Sequence, residues 1–458
     1  MRLALITFLI WLLGASSGLA QQGVQQRLAA YMQGQHDINH FAGVVLVTRH
    51  DSVLLHQAYG LADYEWAVPN TPDTKFALAS ITKSFTAVAM LQLAERGQLQ
   101  LTDKLDKFFP RFPNGHAITL HQLLTHTSGL ALDFESQYLD HTAVSRDSAL
   151  AFIQRLPVQF PPGTRVGYSN VGYYLLGQII EKASGITYGE YLQRNILDVA
   201  GMTSTGLNSN TTLVPRLARL YYREGGAFVK NPYINWDLNL GHDGLYSTAG
   251  DLAKLTQALQ GTALLSESSK ALMVTQHNKQ FPGNGFIDRY GYGVFVNPYY
   301  NQGHYLLTHS GGFFGAMTTW DRYPNDGILV IVLSNNEAES HWISYGLAAI
   351  LFGKPVEVPY SHQPITLAPA SVLPYAGQYG AVTILHANGQ LYLQDMKTPL
   401  VAESPRKFFR QDNPDRTVEF LTTSKGRVYA LVLTKGGVKE TMLKQKTARQ
   451  SERNQGAL

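Results

Sequence analysis

Apolar and polar residues alternate in two widely separated parts of this chain, and between them the pattern changes to a helical one. Gly43 to Thr48 and Ser52 to Tyr59 are β-rich runs on either side of Arg49-His50-Asp51, which predicts a hairpin. Strand patterning returns from His304, in Tyr305 to Thr308, Met317 to Tyr323 and Ile328 to Leu333, the last two joined by the turn sequence Pro324-Asn325-Asp326-Gly327. Val24 to Gln33 predicts a short first helix and Trp342 to Leu351 a late one. Ile81 to Arg96 is mostly apolar and stops at Gly97, as a buried helix with a glycine just past its end does. From Thr102 to Gly261 helical segments mix with turn clusters such as Pro161-Pro162-Gly163, and Thr248-Ala249-Gly250-Asp251 reads as a capping-box start for a helix through Leu255 and Leu259. Together these elements predict an α+β fold: an antiparallel sheet built from both ends of one domain, flanked by helices, with a helical insert between them.

The ends of the chain read differently. Residues 354–369 carry prolines without periodicity and predict a linker; 370–446 is β-patterned, with hairpin signals at Ala387-Asn388-Gly389 and Ser424-Lys425-Gly426, and predicts a small all-β domain. Residues 447–458 predict a disordered tail. At the other end Arg2, the apolar run Leu3 to Leu13 and the small residues of Gly18-Leu19-Ala20 form an export signal over 1–20, with cleavage expected after Ala20. That run is too short to span a membrane, so the mature chain, whose main domain occupies 21–353, is expected in the periplasm or outside the cell.

Composition narrows the chemistry. None of the 458 residues is cysteine, which excludes disulfides, a lipidated N-terminal cysteine, a thiol nucleophile and cysteine metal sites. The net charge of +4 is mild and partly confined to Lys444 to Arg453; without a basic stripe in the body, no nucleic-acid partner is expected.

Three clusters carry chemistry. In Ser80-Ile81-Thr82-Lys83, positions i and i+3 share a helix face, so a lysine can reach the serine hydroxyl, a poor nucleophile that needs a base within hydrogen-bond distance. Ser80 heads the buried helix, where free N–H groups and the positive dipole end favour a developing oxyanion, and a dry setting makes a neutral lysine amine accessible. The same spacing recurs at Ser404-Pro405-Arg406-Lys407, which has a proline and no apolar helix after it and is read as chance. Tyr168-Ser169-Asn170 lies between a turn and a predicted helix, Val171 to Ala183; a tyrosine beside a cation can relay a proton, and an asparagine can both donate and accept. His309-Ser310-Gly311-Gly312 sits at a strand edge, where two glycines let a substrate backbone approach and the Gly312 N–H can pair with that of Ser80 as an oxyanion hole. A competing His242-Asp243-Gly244, just before the helix expected from Thr248, is assigned to a loop.

In order and setting these clusters resemble the signature of serine β-lactamases and penicillin-binding proteins: Ser-x-x-Lys, a polar triad and a strand-borne Lys-Thr-Gly. The chain is similar to the branch with class C β-lactamases, D,D-carboxypeptidases, D-aminopeptidases and esterases, whose second motif reads Tyr-x-Asn. Further likenesses are Leu120 to Leu130 (LHQLLTHTSGL), Pro162-Gly163-Thr164, Gly201-Met202 and Gly244-Leu245-Tyr246-Ser247-Thr248, so the resemblance covers Val24 to Phe352. The C-terminal β region looks like the small barrel-like domain that some members append.

The resemblance implies that Ser80 is acylated, Lys83 is its base, and Tyr168 shuttles protons and activates the deacylating water. Asn170 would orient substrate and Lys83, His309 and Gly311 would contact substrate, and the N–H groups of Ser80 and Gly312 would hold the oxyanion. His309 departs from the lysine of β-lactamases; being charged only part of the time near neutral pH, it lowers the expectation of efficient β-lactam hydrolysis.

The expected function is an exported serine hydrolase working through an acyl-enzyme, without a cofactor, on D-amino-acid peptides or amides or on small esters. Cell-wall fragments are among the candidate substrates. A β-lactamase is the alternative, as is a penicillin-binding sensor that acylates without turnover. A metal enzyme is the remaining rival. His36-Asp37-Ile38-Asn39-His40 has the i, i+4 histidine spacing, but Gly34 places it in a loop, and His121 and His126 read as part of a structural loop, so no metal site is expected.

Overall fold

The computed structural model describes residues 22–50, 52–134, 144–224, 227–231, 233–281, 287–394 and 398–445; the proposed signal at 1–20 and the tail at 447–458 lie outside them. Contacts divide the chain into a unit of residues 41–344 and a second unit formed by 1–40 together with 345–458.

In the second unit the first helix, α1, runs over 22–39, past the stop expected after Gln33. Gly34 does not end it. A Cβ there would meet Val358 Cγ1 at 2.8 Å and Pro359 Cδ at 2.9 Å, so the glycine serves close packing. The added turn is held by Gln35 Nε2 donating to Tyr31 Oη at 3.0 Å and by Asn39 Nδ2 donating to Gln35 Oε1 at 2.9 Å. The helix stops before His40, whose φ is 56°. In the same unit, Val356 bridges to Val438, and Ile365 N–H donates to Ala402 O at 2.8 Å, so the stretch expected as a linker is stitched along this unit's sheet.

The large unit is organised by a six-stranded antiparallel sheet. In chain order its strands are β1 (Gly43–Arg49), β2 (Ser52–Tyr59), β3 (Phe295–Val296), β4 (Leu307–Phe313), β5 (Ala316–Tyr323) and β6 (Ile328–Ser334). The spatial order is β3-β4-β5-β6-β1-β2, so both ends of the unit meet where Gly43 pairs with Ser334 and Val45 with Val332. β4 begins later than its expected run and extends through His309 to Phe313, which puts the third motif inside the strand. Helix α2 (Thr82–Glu95) is buried through most of its length, helix α3 is Asn170–Ser184, and helix α4 (Ala249–Gln260) packs on β1 and β6. Thr248 caps α4 by accepting from Asp251 N–H, but the Asp251 carboxylate turns away to Ser204 N–H at 2.7 Å and Thr205 Oγ1 at 2.9 Å instead of closing the box.

The second unit carries an eight-stranded sheet of β7 (Gly377–Tyr379), β8 (Val382–Ala387), β9 (Gln390–Leu393), β10 (Pro399–Ala402), β11 (Lys407–Arg410), β12 (Asn413–Thr422), β13 (Val428–Lys435) and β14 (Val438–Leu443), each paired with the next. Gly380 N–H donates to Leu443 O at 3.2 Å and Gln445 N–H to Gln378 O at 2.8 Å, which joins the first strand to the end of the last and leaves no long open edge. Tyr379, Leu391, Phe408, Val418, Phe420 and Leu431 fill its core.

One close approach fixes the helix that carries Lys83. Ser84 Oγ donates to Gly293 O at 2.5 Å, and Gly293, at φ 64°, would place a Cβ 2.6 Å from Lys83 O and 2.9 Å from Ser84 Cα. Gly293→Ala should therefore lower stability by about 2 kcal/mol through strain and overpacking together, read as a drop of several degrees in the thermal midpoint. An unchanged midpoint would show that this contact does not hold α2.

Candidate active site

The turn that carries Ser80 is held from both sides. Phe76–Ala77 pairs antiparallel with Leu245–Ser247, Leu78 N–H donates to Leu245 O at 2.8 Å, and Leu245 N–H donates to Thr82 Oγ1 at 3.2 Å. On the other side, Thr318 Oγ1 of β5 donates to Leu78 O at 2.8 Å. Between these anchors Ala79 takes φ 48°, a backbone region that alanine rarely occupies, and the chain enters a single turn, Ala79–Ile81, that leads into α2. Ser80 is half-buried in that turn, and the i, i+3 relation holds: Lys83 Nζ donates to Ser80 Oγ at 2.9 Å.

The clamp on Leu245 has a second effect, because it delivers Asp243 to Ser80. Ser80 Oγ donates to Asp243 Oδ1 at 2.8 Å, and Lys83 Nζ lies 3.5 Å from the same oxygen while donating to His242 O at 3.2 Å. Lys83 is fully buried and Asp243 nearly so. Burial pushes the Lys83 ammonium down, but Asp243 and Tyr168 beside it outweigh this, and its pKa ends above the ordinary lysine value. Burial likewise pushes the Asp243 carboxyl up, and Lys83, His242 and the Ser80 hydroxyl reverse this, holding it below the ordinary carboxylate value. The neutral amine expected from burial alone is thus replaced, at rest, by an ion pair. Asp243 lies in the His242-Asp243-Gly244 segment that patterning assigned to a loop. Its place beside Ser80 was not visible there because it depends on the strand pairing of Phe76 with Ser247 and Ala77 with Tyr246, residues far apart in the chain.

Tyr168 packs against this pair. Lys83 Nζ is 5.0 Å from the centroid of its ring, and His126 stacks on it at 4.2 Å. Burial and the Asp243 charge push the phenol up against the lowering effect of Lys83. His126 Nδ1 accepts from Ser169 N–H at 3.0 Å, tying the LTHTSG segment to the second motif, and Ser169 caps α3 by accepting from Gly172 N–H at 3.0 Å. Asn170 opens α3 with Oδ1 buried and without a hydrogen-bond partner; among the described residues no hydrogen bond joins it to Lys83.

The third motif lies beside the turn. A Cβ on Gly311 would meet Leu78 O at 2.2 Å and Ala79 Cβ at 2.9 Å, so only glycine lets β4 pass this close, while Gly312 is exposed. His309 is buried, with Nε2 at 3.0 Å from Tyr290 Oη and Nδ1 at 2.8 Å from Ser310 O. Burial and the Lys83 charge lower its pKa to about 3. The part-time cation expected at this position is therefore a neutral ring whose two nitrogens are already engaged.

The Beta-lactamase family model matches residues 24–344. The chain belongs to the Beta-lactamase family. A penicillin-binding protein of Bacillus subtilis strain 168 is 28% identical over 421 residues, which is 85% of this chain and 92% of that one. A teichoic acid D-alanine hydrolase of Staphylococcus aureus is 29% identical over 297 residues, 64% of this chain and 70% of that one. Among solved structures, an octameric penicillin-binding protein homologue from Pyrococcus abyssi superposes with a TM-score of 0.65 at 26% identity, over 92% of this chain and 98% of that one.

Within this β-lactamase-family serine hydrolase, Ser80, Lys83, Tyr168 and Asp243 converge on one point, and Gly311 packs against the same turn. The second Ser-x-x-Lys is a turn cap: Ser404 Oγ accepts from Lys407 N–H at 2.9 Å, and Lys407 Nζ turns to Glu403 at 3.2 Å and Glu357 at 3.5 Å. His36 lies in α1, and among the described residues no group of three or more metal-binding side chains occurs.

Burial lowers the pKa of five histidines of this unit: His309 to about 3, His121 to about 4, and His56, His126 and His277 also below the ordinary value. Unfolded, each takes up a proton near pH 6.5, so the unfolded state binds more protons and stability falls as pH drops from about 6.5 to 4. Asp321 in the same unit, raised to about 6, works the opposite way, one group against five. The thermal midpoint should thus be lower at pH 5 than at pH 7.5; a flat or rising midpoint would contradict this.

Proposed function

We propose that the chain is an exported hydrolase that forms an acyl-enzyme on Ser80 and acts on D-amino-acid amides or peptides or on small esters. The observation that carries this reading is the Ser80 hydroxyl lying between Lys83 at 2.9 Å and Asp243 at 2.8 Å, on the turn that leads into α2. Lys83 first yields a proton to Asp243 and, as the neutral amine, takes the Ser80 proton as Oγ bonds to the carbonyl carbon, which leaves an ammonium beside a protonated carboxyl. The pair then carries a net positive charge beside the developing oxyanion, which the N–H groups of Ser80 and Gly312 receive. Tyr168 passes a proton from the pair to the leaving amine or alkoxide, which expels it, and in deacylation Tyr168 takes a proton from the attacking water by the reverse path. Asn170 Oδ1, buried without a partner, accepts a substrate N–H.

The teichoic acid D-alanine hydrolase supports a D-aminoacyl substrate, and the penicillin-binding relatives support a location outside the cytoplasm, as does the signal pattern at 1–20. Among the described residues no helix is long and apolar enough to cross a membrane. β-Lactams rank second because the third motif supplies a neutral histidine where a cation would meet their carboxylate.

Labelling with a fluorophosphonate and a fluorescent penicillin, followed by peptide mapping, should place adducts on Ser80. Lys83→Ala should keep the fold and lose at least 100-fold in acylation rate. Folded protein without label on Ser80 from either probe, or a Lys83→Ala variant that turns over esters normally, would overturn the mechanism.

A further inference from the structure

The pair that Asp243 makes leaves half of its carboxylate unused. Oδ1 accepts the Ser80 hydroxyl at 2.8 Å and faces Lys83 Nζ at 3.5 Å. Oδ2 meets, among the described residues, only His242 Nε2 at 3.8 Å, beyond hydrogen-bond range. An ionised carboxylate has about four acceptor positions, so open ones remain on an oxygen that stands beside the nucleophile.

The other charges around this point decide what can use it. Lys83 is already bonded to Ser80 and His242 O and paired with Asp243. His309 is neutral, with both nitrogens engaged, and His126 is held neutral by burial. A substrate carboxylate entering here would lose its water without gaining a free cation, and it would face Asp243. A substrate ammonium would find a charge-assisted acceptor.

We propose that Asp243 Oδ2 anchors the α-ammonium of the substrate, so that the enzyme selects amides or esters of amino acids whose amine is free. This rests on the Ser80 acyl-enzyme reading. The α-nitrogen is two bonds from the carbon that Ser80 attacks, and reacting atoms approach to about 3–3.5 Å before bonding. A carboxylate that already touches the attacking oxygen is therefore within reach of that nitrogen. Acylating the amine removes the charge that Asp243 pairs with, and replacing it with hydrogen removes the donor.

The test uses three p-nitroanilides with one leaving group: D-alanyl, N-acetyl-D-alanyl and propionyl. With the wild-type enzyme kcat/KM should be at least tenfold higher for D-alanyl than for either of the others. Asp243→Asn slows all three by disturbing Lys83, but it should also bring the ratio close to one, with the extra loss for D-alanyl appearing mainly in KM. Equal kcat/KM for D-alanyl and propionyl in the wild type, or an unchanged ratio in Asp243→Asn, would overturn the proposal. Fluorophosphonate labelling of Ser80 in the same preparations separates the two readings. Label with a ratio near one removes only the ammonium site, whereas absence of label from folded wild-type enzyme removes both.

Discussion

Two opposite charges, Lys83 and Asp243, are buried 3.5 Å apart with the Ser80 hydroxyl between them, and most of what the site can do follows from that placement. Neither charge would be stable there alone, since a buried lysine loses its proton and a buried carboxyl gains one. Together each keeps the other ionised. The pair orients the hydroxyl, fixes the resting charge of the pocket near zero, and with its cation helps to keep His309 and His126 neutral. A buried pair of this kind is weak evidence for stability, because its desolvation cost is of the same order as the attraction. Its value lies in holding three reactive groups in one geometry.

The fold pays for that geometry with close backbone approaches. Gly311 and Gly293 sit where any side chain would strike the Ser80 turn or α2, and Ala79 holds an unfavourable φ between the strand pairing with Leu245–Ser247 and the Thr318 hydrogen bond. The Tyr168–His126 stack packs against Lys83, and Ser169 links that stack to the cap of α3.

What could be read from the chain alone was local. Ser80 and Lys83 were legible because their contact depends only on helical spacing, and Tyr168-Ser169-Asn170 because a turn and a helix start bracket it. The sheet of the large unit was legible in its alternating runs. Asp243 was not, since its place beside Ser80 comes from a long-range pairing, and without Asp243 the charge state of Lys83 could not be inferred from burial. Gly34 misled for a related reason: a glycine that breaks a helix and one that lets Val358 and Pro359 pack closely look the same in sequence. The charge of His309 was misjudged because its depth in β4, its Tyr290 partner and the nearby Lys83 ammonium all arise from tertiary structure.

The central claim is that Asp243 keeps Lys83 protonated at rest. Titration of the Lys83 side chain in the wild-type enzyme, by NMR of selectively labelled lysine assigned with Lys83→Arg, tests it directly. An ammonium that persists from pH 6 to above pH 10 is the result expected. A side chain that loses its proton near or below pH 7 would contradict the account, because Lys83 would then be the free amine that burial alone predicts and Asp243 would not govern the site.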